Sequence, residues 1–224
     1  MKSKWALGGA AVIALGAIVI GAPTLFRRLR DVVESGFGSM DALQAQQTRT
    51  ARVELGKAKD DAAKCDPLAQ IAKFDFNHGN IPEASRYASE LLAIAPKIRP
   101  KDYDKPDSLY EQDTAGNSIH TDYGVAIHDG NMVLGRIALR EHRLADAKSY
   151  LLKAGMTPGA CTLNSFGPNM SLAQDLLEAG QRDIILQYFK ECRRFWTCEP
   201  TNLDSWEEDV KSGGSPDFGA NLYY

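Results

Sequence analysis

Apolar and polar positions divide the chain into stretches of different character. From Trp5 to Phe26, the 22 residues WALGGAAVIALGAIVIGAPTLF carry no charge. At a rise of about 1.5 Å per residue such a run makes about 33 Å of helix, enough for a hydrocarbon core of about 30 Å. Lys2 and Lys4 precede the run, and Arg27, Arg28 and Arg30 close it. The pattern predicts an uncleaved single-span anchor over residues 1–30. A cleaved signal peptide fits less well, because a cut after Ala22 leaves Pro23 next and bulky Ile20 at the third position before the cut. Ala6, Ala10, Ala14, Ala17 and Gly21 fall on one face of the span, where small residues let a second helix approach. Basic residues balance across the two flanks, so they do not set orientation. The signal-like beginning points to an inner-membrane protein with its C-terminal domain exported to the periplasm.

Residues 31–64 are polar and helix-prone, with a thin apolar seam at Met40, Leu43 and Leu55, the pattern of a juxtamembrane spacer. From 65 to 212 the apolar period is helical and no alternating strand pattern occurs. In HGNIPEASRYASELLAIAP, residues 78–96, Gly79 ends one helix, Pro82 suits the first turn of the next, and Pro96 closes it. Ile81, Ala84, Tyr87, Ala88, Leu91 and Leu92 form its apolar face. The same grammar returns with Leu134, Gly135 and Ala138 followed by Ala147, Leu151 and Ala154. It returns again with Leu172, Ala173, Leu176 and Leu177, then Gly180, Ile185, Phe189 and Cys192. Ser171 with Gln174 has the spacing of a capping box.

These three units resemble the tetratricopeptide repeat family. The resemblance rests on Gly79, Ala84, Ala88, Leu91 and Pro96 in the first unit. In the second it rests on Leu134-Gly135, Ala138, Ala147, Leu151 and Ala154, and in the third on Gly180, Phe189 and Cys192. It covers roughly residues 66–196 and implies about three irregular helical hairpins, each burying its open face on the next. Two departures stand out. Ala84, Ala147 and Ile185 are 63 and 38 residues apart, against a family repeat of about 34, so an insertion (97–118) separates the first two units. Asp75 also occupies a position where the family carries an apolar or aromatic side chain. The block Gly130–Met170, with LGRIAL and TPGACTLNSFGPNM, is further similar to uncharacterised bacterial repeat proteins. After the third hairpin, Leu203, Trp206 and Val210 predict a short amphipathic helix capped by Asp204 and Glu207. The tail 213–224 ends on Phe218, Leu222, Tyr223 and Tyr224 and is expected to dock back on the domain. The fold class is therefore all-α.

A formal net charge of −3 excludes a counterion-displacing nucleic-acid surface. Cys65, Cys161, Cys192 and Cys198 form no CxxC pair, which argues against structural zinc. Three disulfide connectivities stay open, Cys192 and Cys198 being nearest in sequence.

No nucleophile elbow, phosphate loop, dinucleotide fingerprint or HExxH occurs. Chemistry-bearing residues concentrate in IHTDYGVAIHDGN, residues 119–131. A metal-dependent enzyme or small-ligand site built on His120, Asp122, His128 and Asp129 is one reading. Eight residues separate the two histidines, about 12 Å along a helix, so one ion does not span them. No catalytic residue, metal or cofactor is therefore assigned. The preferred expectation places His128–Asn131 at the opening turn of the second hairpin. It turns Asp129, Met132, Arg136 and Leu139, with His120 and His128, towards a protein partner. The resemblance implies a scaffold, adaptor or accessory subunit of a membrane complex, touching lipid through residues 5–26 and no nucleic acid.

Overall fold

The computed structural model describes residues 41–99 and 121–222. The proposed anchor with Ala6, Ala10, Ala14, Ala17 and Gly21, nearly all of the 97–118 insertion, and His120 lie outside the described residues. No helix among the described residues is long and apolar enough to cross a membrane. The chain divides into two compact units, Met1–Gln44 and Ala45–Tyr224. Of the first only residues 41–44 are described, and these are helical.

Among the described residues there are nine α-helices and no strand. They are α1 (41–57), α2 (Cys65–Asn77), α3 (Ile81–Ile94), α4 (Thr121–Arg140) and α5 (Leu144–Gly155). The short α6 (Cys161–Phe166) leads to α7 (Ser171–Glu178), α8 (Arg182–Cys192) and α9 (Pro200–Lys211). The pairs α2–α3, α4–α5 and α7–α8 are the helical hairpins that the apolar pattern predicts.

All three hairpins turn in one way. A residue in the left-handed region stops the first helix: Gly79 at φ 78°, His142 at φ 61° and Gly180 at φ 75°. The next residue's N–H then reaches back five positions: Asn80 to the Asp75 carbonyl (2.8 Å), Arg143 to Ala138 (2.8 Å) and Gln181 to Leu176 (2.9 Å). This double-bonded terminus satisfies carbonyls that would otherwise be orphaned at the helix end. It also fixes the angle at which the second helix leaves. Ala84, Ala88, Leu91, Ala147, Leu151, Ala154, Ile185, Phe189 and Cys192 are then buried in one continuous core. The capping box is not formed. Ser171 is already helical, the N-cap is Met170, and the Ser171 N–H and hydroxyl both bond Asn169 Oδ1 (2.8 and 2.5 Å).

The compact unit starts at Ala45, inside the stretch that composition alone assigns to a spacer. Thr48 and Ala51 of α1 are buried, while Val53 is exposed. The anchor of this docking is polar: Arg52 Nη2 donates to both carboxylate oxygens of buried Asp75 (2.8 and 2.9 Å), and Nη1 donates to the Tyr87 hydroxyl (3.2 Å). Buried Asp75 is thus matched by the guanidinium that α1 delivers to it. Both bonds to Asp75 come from Nη2, and hydrogen bonds between two ionised groups are among the stronger polar contacts.

The far end is covered by α9 and the tail. Leu203, Trp206 and Val210 are buried. Phe218 packs edge-on to Trp206 at 5.0 Å, and Trp206 Nε1–H donates to the Asp217 carbonyl (3.0 Å). Asp204 and Glu207 do not cap α9, because the helix starts at Pro200 and leaves them mid-helix; both bind Arg193 at 2.6 Å instead. None of the four cysteines is held in a disulfide.

His142 is the only non-glycine residue with positive φ among those described, a conformation that costs an L-residue about 1–2 kcal/mol. Replacing His142→Gly is expected to raise unfolding stability by about 0.5–1 kcal/mol, net of glycine's extra chain entropy. Gly180→Ala should lower it by about 1 kcal/mol. Urea denaturation of the two variants checks both signs.

Candidate functional site

Helix α4 is the spine of the unit. It lies against α2 and α3 on one side and α5, α6 and α7 on the other. Its first residue is Thr121, so His128–Asn131 sit in its interior rather than at its opening turn. Helix continues through Gly124 and Gly130 because packing demands small residues there. A Cβ on Gly124 would fall 1.7 Å from the Gly159 carbonyl oxygen, and one on Gly130 2.8 Å from the Leu92 side chain.

Being covered on both sides, α4 turns its polar residues inward. His128, Asp129, Asn131 and Met132 are all buried. This corrects the expectation that Asp129, Met132 and His128 face a partner: neighbouring helices occupy the directions in which they project. Their polar atoms are satisfied internally. His128 Nδ1 meets Asp129 Oδ1 at 2.9 Å, and Lys73 of α2 donates to Asp129 Oδ2 at 2.9 Å. His128 Nε2 lies 3.4 Å from the Tyr188 hydroxyl of α8, which donates to the Asn169 carbonyl at 3.1 Å. Asn131 Nδ2 returns a bond to the Ile127 carbonyl at 2.7 Å. Lys73, Asp129, His128, Tyr188 and Asn169 thus form a polar seam through all three hairpins.

Burial alone would push the Asp129 carboxyl up. The Lys73 ammonium and the His128 hydrogen bond outweigh it and hold the carboxyl well below the usual carboxylate range. Asp122 behaves oppositely. Burial, then the nearby charges of Asp66 and Asp60, push its carboxyl up to about 6. The two aspartates are therefore not a matched pair. One is a fixed anion in the core and the other sits among like charges at the start of α4. Among the described residues no group of three His, Cys, Asp or Glu side chains is placed to hold a metal ion.

Arg136 and Leu139 fare differently. They lie in the last part of α4, where cover ends, and line an open groove of about 420 Å³ with Phe76, Asn77, Arg140 and Asp175. The Arg136 guanidinium lies 4.6 Å above the Phe76 ring, donates to Asp175 Oδ2 at 2.8 Å and reaches Asn77 Oδ1 at 3.5 Å. Arg140 is exposed at the mouth. Phe76, Asn77, Arg140 and Asp175 were missed in the sequence. The offset from the turns was the available signal: Phe76 and Leu139 each stand three residues before the left-handed residue of their hairpin, and Asn77 and Arg140 two before it.

A search of protein-family models, curated proteins and solved structures finds no match to this chain.

The two aspartates predict opposite pH responses. Asp122 has a folded value raised from 3.8 to about 6, so its contribution is fully present below 3.8 and lost as pH rises through 6. Asp129 has a depressed folded value, so its contribution is present above the ordinary Asp range and lost as pH falls through the folded value. Asp122→Asn should therefore stabilise the protein at pH 7.5 and change it little at pH 4, as read by thermal melts. Lys73→Met strands the buried Asp129 carboxylate and should cost about 3 kcal/mol at neutral pH by denaturant titration.

Proposed function

We propose that this chain is a membrane-anchored, tetratricopeptide-like scaffold or accessory subunit whose groove holds a segment of a protein partner. Residues 5–26 serve as the anchor, their small-residue face meeting a second membrane helix, with the C-terminal domain on the exported side. The observation that carries the reading is the construction of the groove. Its walls come from the C-terminal ends of α2 and α4 and from the middle of α7, the first helices of three successive hairpins. Phe76 and Leu139 stand at equivalent positions of the first two hairpins, and Asp175 joins them from the third. A surface assembled from consecutive hairpins is what a helical array offers an extended ligand.

The chemistry of the walls suits a peptide. Phe76 and Leu139 present apolar surface, Asn77 an amide, and Arg136, Arg140 and Asp175 charges of both signs. Arg136 is already held by Phe76, Asp175 and Asn77, so little side-chain freedom is lost when a partner docks. By contrast, His128 and Asp129 are sealed beneath α2 and α8 and offer no reacting substrate a path, which favours recognition over catalysis.

The test is purification of the full chain from native membranes in mild detergent, followed by identification of what co-purifies. Arg136→Glu combined with Leu139→Ala should weaken capture of a specific partner at least tenfold while leaving the helical circular dichroism and melting curve close to wild type. A partner retained in full by the double variant, or a wild-type chain that comes out alone under several mild detergents, sinks the proposal.

A further inference from the structure

The four thiols fall into two classes. Cys65 and Cys192 are completely buried. Burial pushes the Cys65 thiol up to about 12 and the Cys192 thiol further still, so neither supplies the thiolate that disulfide chemistry requires. Cys161, at the start of α6, is half-buried, and Cys198, in the turn between α8 and α9, is exposed.

The two segments that carry these thiols, distant in sequence, are tied together by Asn164. Its buried Oδ1 accepts the Thr197 N–H (2.8 Å), the Thr197 hydroxyl (3.2 Å) and the Cys198 N–H (3.2 Å). Asn164 stands three residues after Cys161 on α6. Side chains at that spacing have Cβ atoms about 5–6 Å apart on one helix face, and helical side chains lean towards the N-terminal turn. The clamp therefore holds the Cys198 backbone beside the turn that Cys161 opens. The sequence-nearest alternative, Cys192 with Cys198, is disfavoured because Cys192 faces the core of α8 while Cys198 faces solvent.

We propose that Cys161 and Cys198 are a dithiol that closes to a disulfide when a small-molecule disulfide oxidant, such as glutathione disulfide, is present. The exposed Cys198 thiolate attacks one sulfur of the oxidant, forming a mixed disulfide and expelling one glutathione thiolate. The Cys161 thiolate then attacks Cys198 Sγ, forming the intramolecular S–S bond and expelling the second glutathione thiolate. The two protein thiols lose two protons and two electrons, and the oxidant's disulfide is reduced to two thiols. The link ties α6 to the turn that leads into α9, the helix covering the end of the array. It constrains the unfolded chain across the whole third hairpin, and it is independent of what the groove binds.

The experiment uses the full chain in detergent. The chain is reduced, exchanged into glutathione disulfide, alkylated natively, then unfolded without reductant, alkylated with a second reagent and digested. The expected result is a Cys161–Cys198 cross-linked peptide, with Cys65 and Cys192 labelled only by the second reagent. The melting temperature of the oxidised form should exceed that of the reduced form by roughly 5–15 °C. In Cys161→Ser, Cys198 should stop at the glutathione mixed disulfide and the shift should vanish. A Cys192–Cys198 link overturns the proposal. So does a Cys198–Cys198 bond between two chains, or a wild-type Cys198 that stays a mixed disulfide.

Discussion

The constraint on which the unit depends is that α4 has neighbours on both sides. Twenty residues long, it spans about 30 Å at helical rise, and α2, α3, α5, α6 and α7 all touch it. A helix so enclosed has no polar face to spare. It must be narrow wherever another backbone crosses it, and any polar group it carries must find a partner inside. Gly124, Gly130 and Gly135 answer the first requirement: a Cβ on Gly135 would lie 2.3 Å from Leu172 and 3.0 Å from Tyr150. These glycines cost helix propensity of about 1 kcal/mol each relative to alanine, and close packing on α3, α5, α7 and the 156–160 turn offsets it. Thr157 adds to that last contact, its hydroxyl donating to the Gly124 carbonyl (2.7 Å) while accepting the Gly159 N–H (3.2 Å).

The second requirement shapes the specificity of the core. An apolar seam between hairpins tolerates sliding by a turn, whereas buried donors and acceptors are satisfied in one register only. Lys73 on α2 and Tyr188 on α8 approach the His128–Asp129 step from opposite sides. Register is thus specified from the first hairpin to the third through two adjacent residues of α4. Arg52–Asp75 does the same for α1, and Asn164 with Asn221 for the C-terminal cover. Asn221 Nδ2 donates to the Phe166 and Pro168 carbonyls (3.1 and 3.0 Å), and its own carbonyl accepts the Met170 N–H (2.8 Å). Each of these joints is made by a side chain that bonds backbone or an ion, which is how elements added to the hairpins avoid slipping.

This division explains what was legible in the sequence. The hairpins and their apolar faces follow from period and punctuation, since Gly79 and Gly180 mark their turns locally. His142 performs the same task without a glycine, and only the helical period on either side marks that turn. Long-range polar pairing left no local trace: nothing near Asp75 announces Arg52, and nothing near His128 announces Tyr188. The same blindness made IHTDYGVAIHDGN look like a surface site. A cluster of polar residues on a helix signals either exposure or internal partners, and composition does not separate the two. The groove was half-legible, because helix phase finds Arg136 and Leu139 on α4. Phe76, Asn77 and Asp175 come from other helices and join them only once the hairpins stack.

The place where enclosure ends is also where the groove opens. Along α4 the cover is complete around His128–Val133 and gives way at Arg136, Leu139 and Arg140. Cations in the last turns of a helix are favoured by the partial negative charge of its C-terminal carbonyls. The carbonyls at the C-terminal end of α4 therefore favour both Arg136 and Arg140. Asp175 from α7 draws Arg136 across the gap and Phe76 from α2 gives it a flat surface to lie on, so one side chain measures the spacing of three hairpins. If the array shifts register, that guanidinium loses its carboxylate and its ring together. The groove thus inherits its geometry from the same seam that buries His128 and Asp129. Residues first suspected of binding act instead by holding the helices whose open ends line the groove.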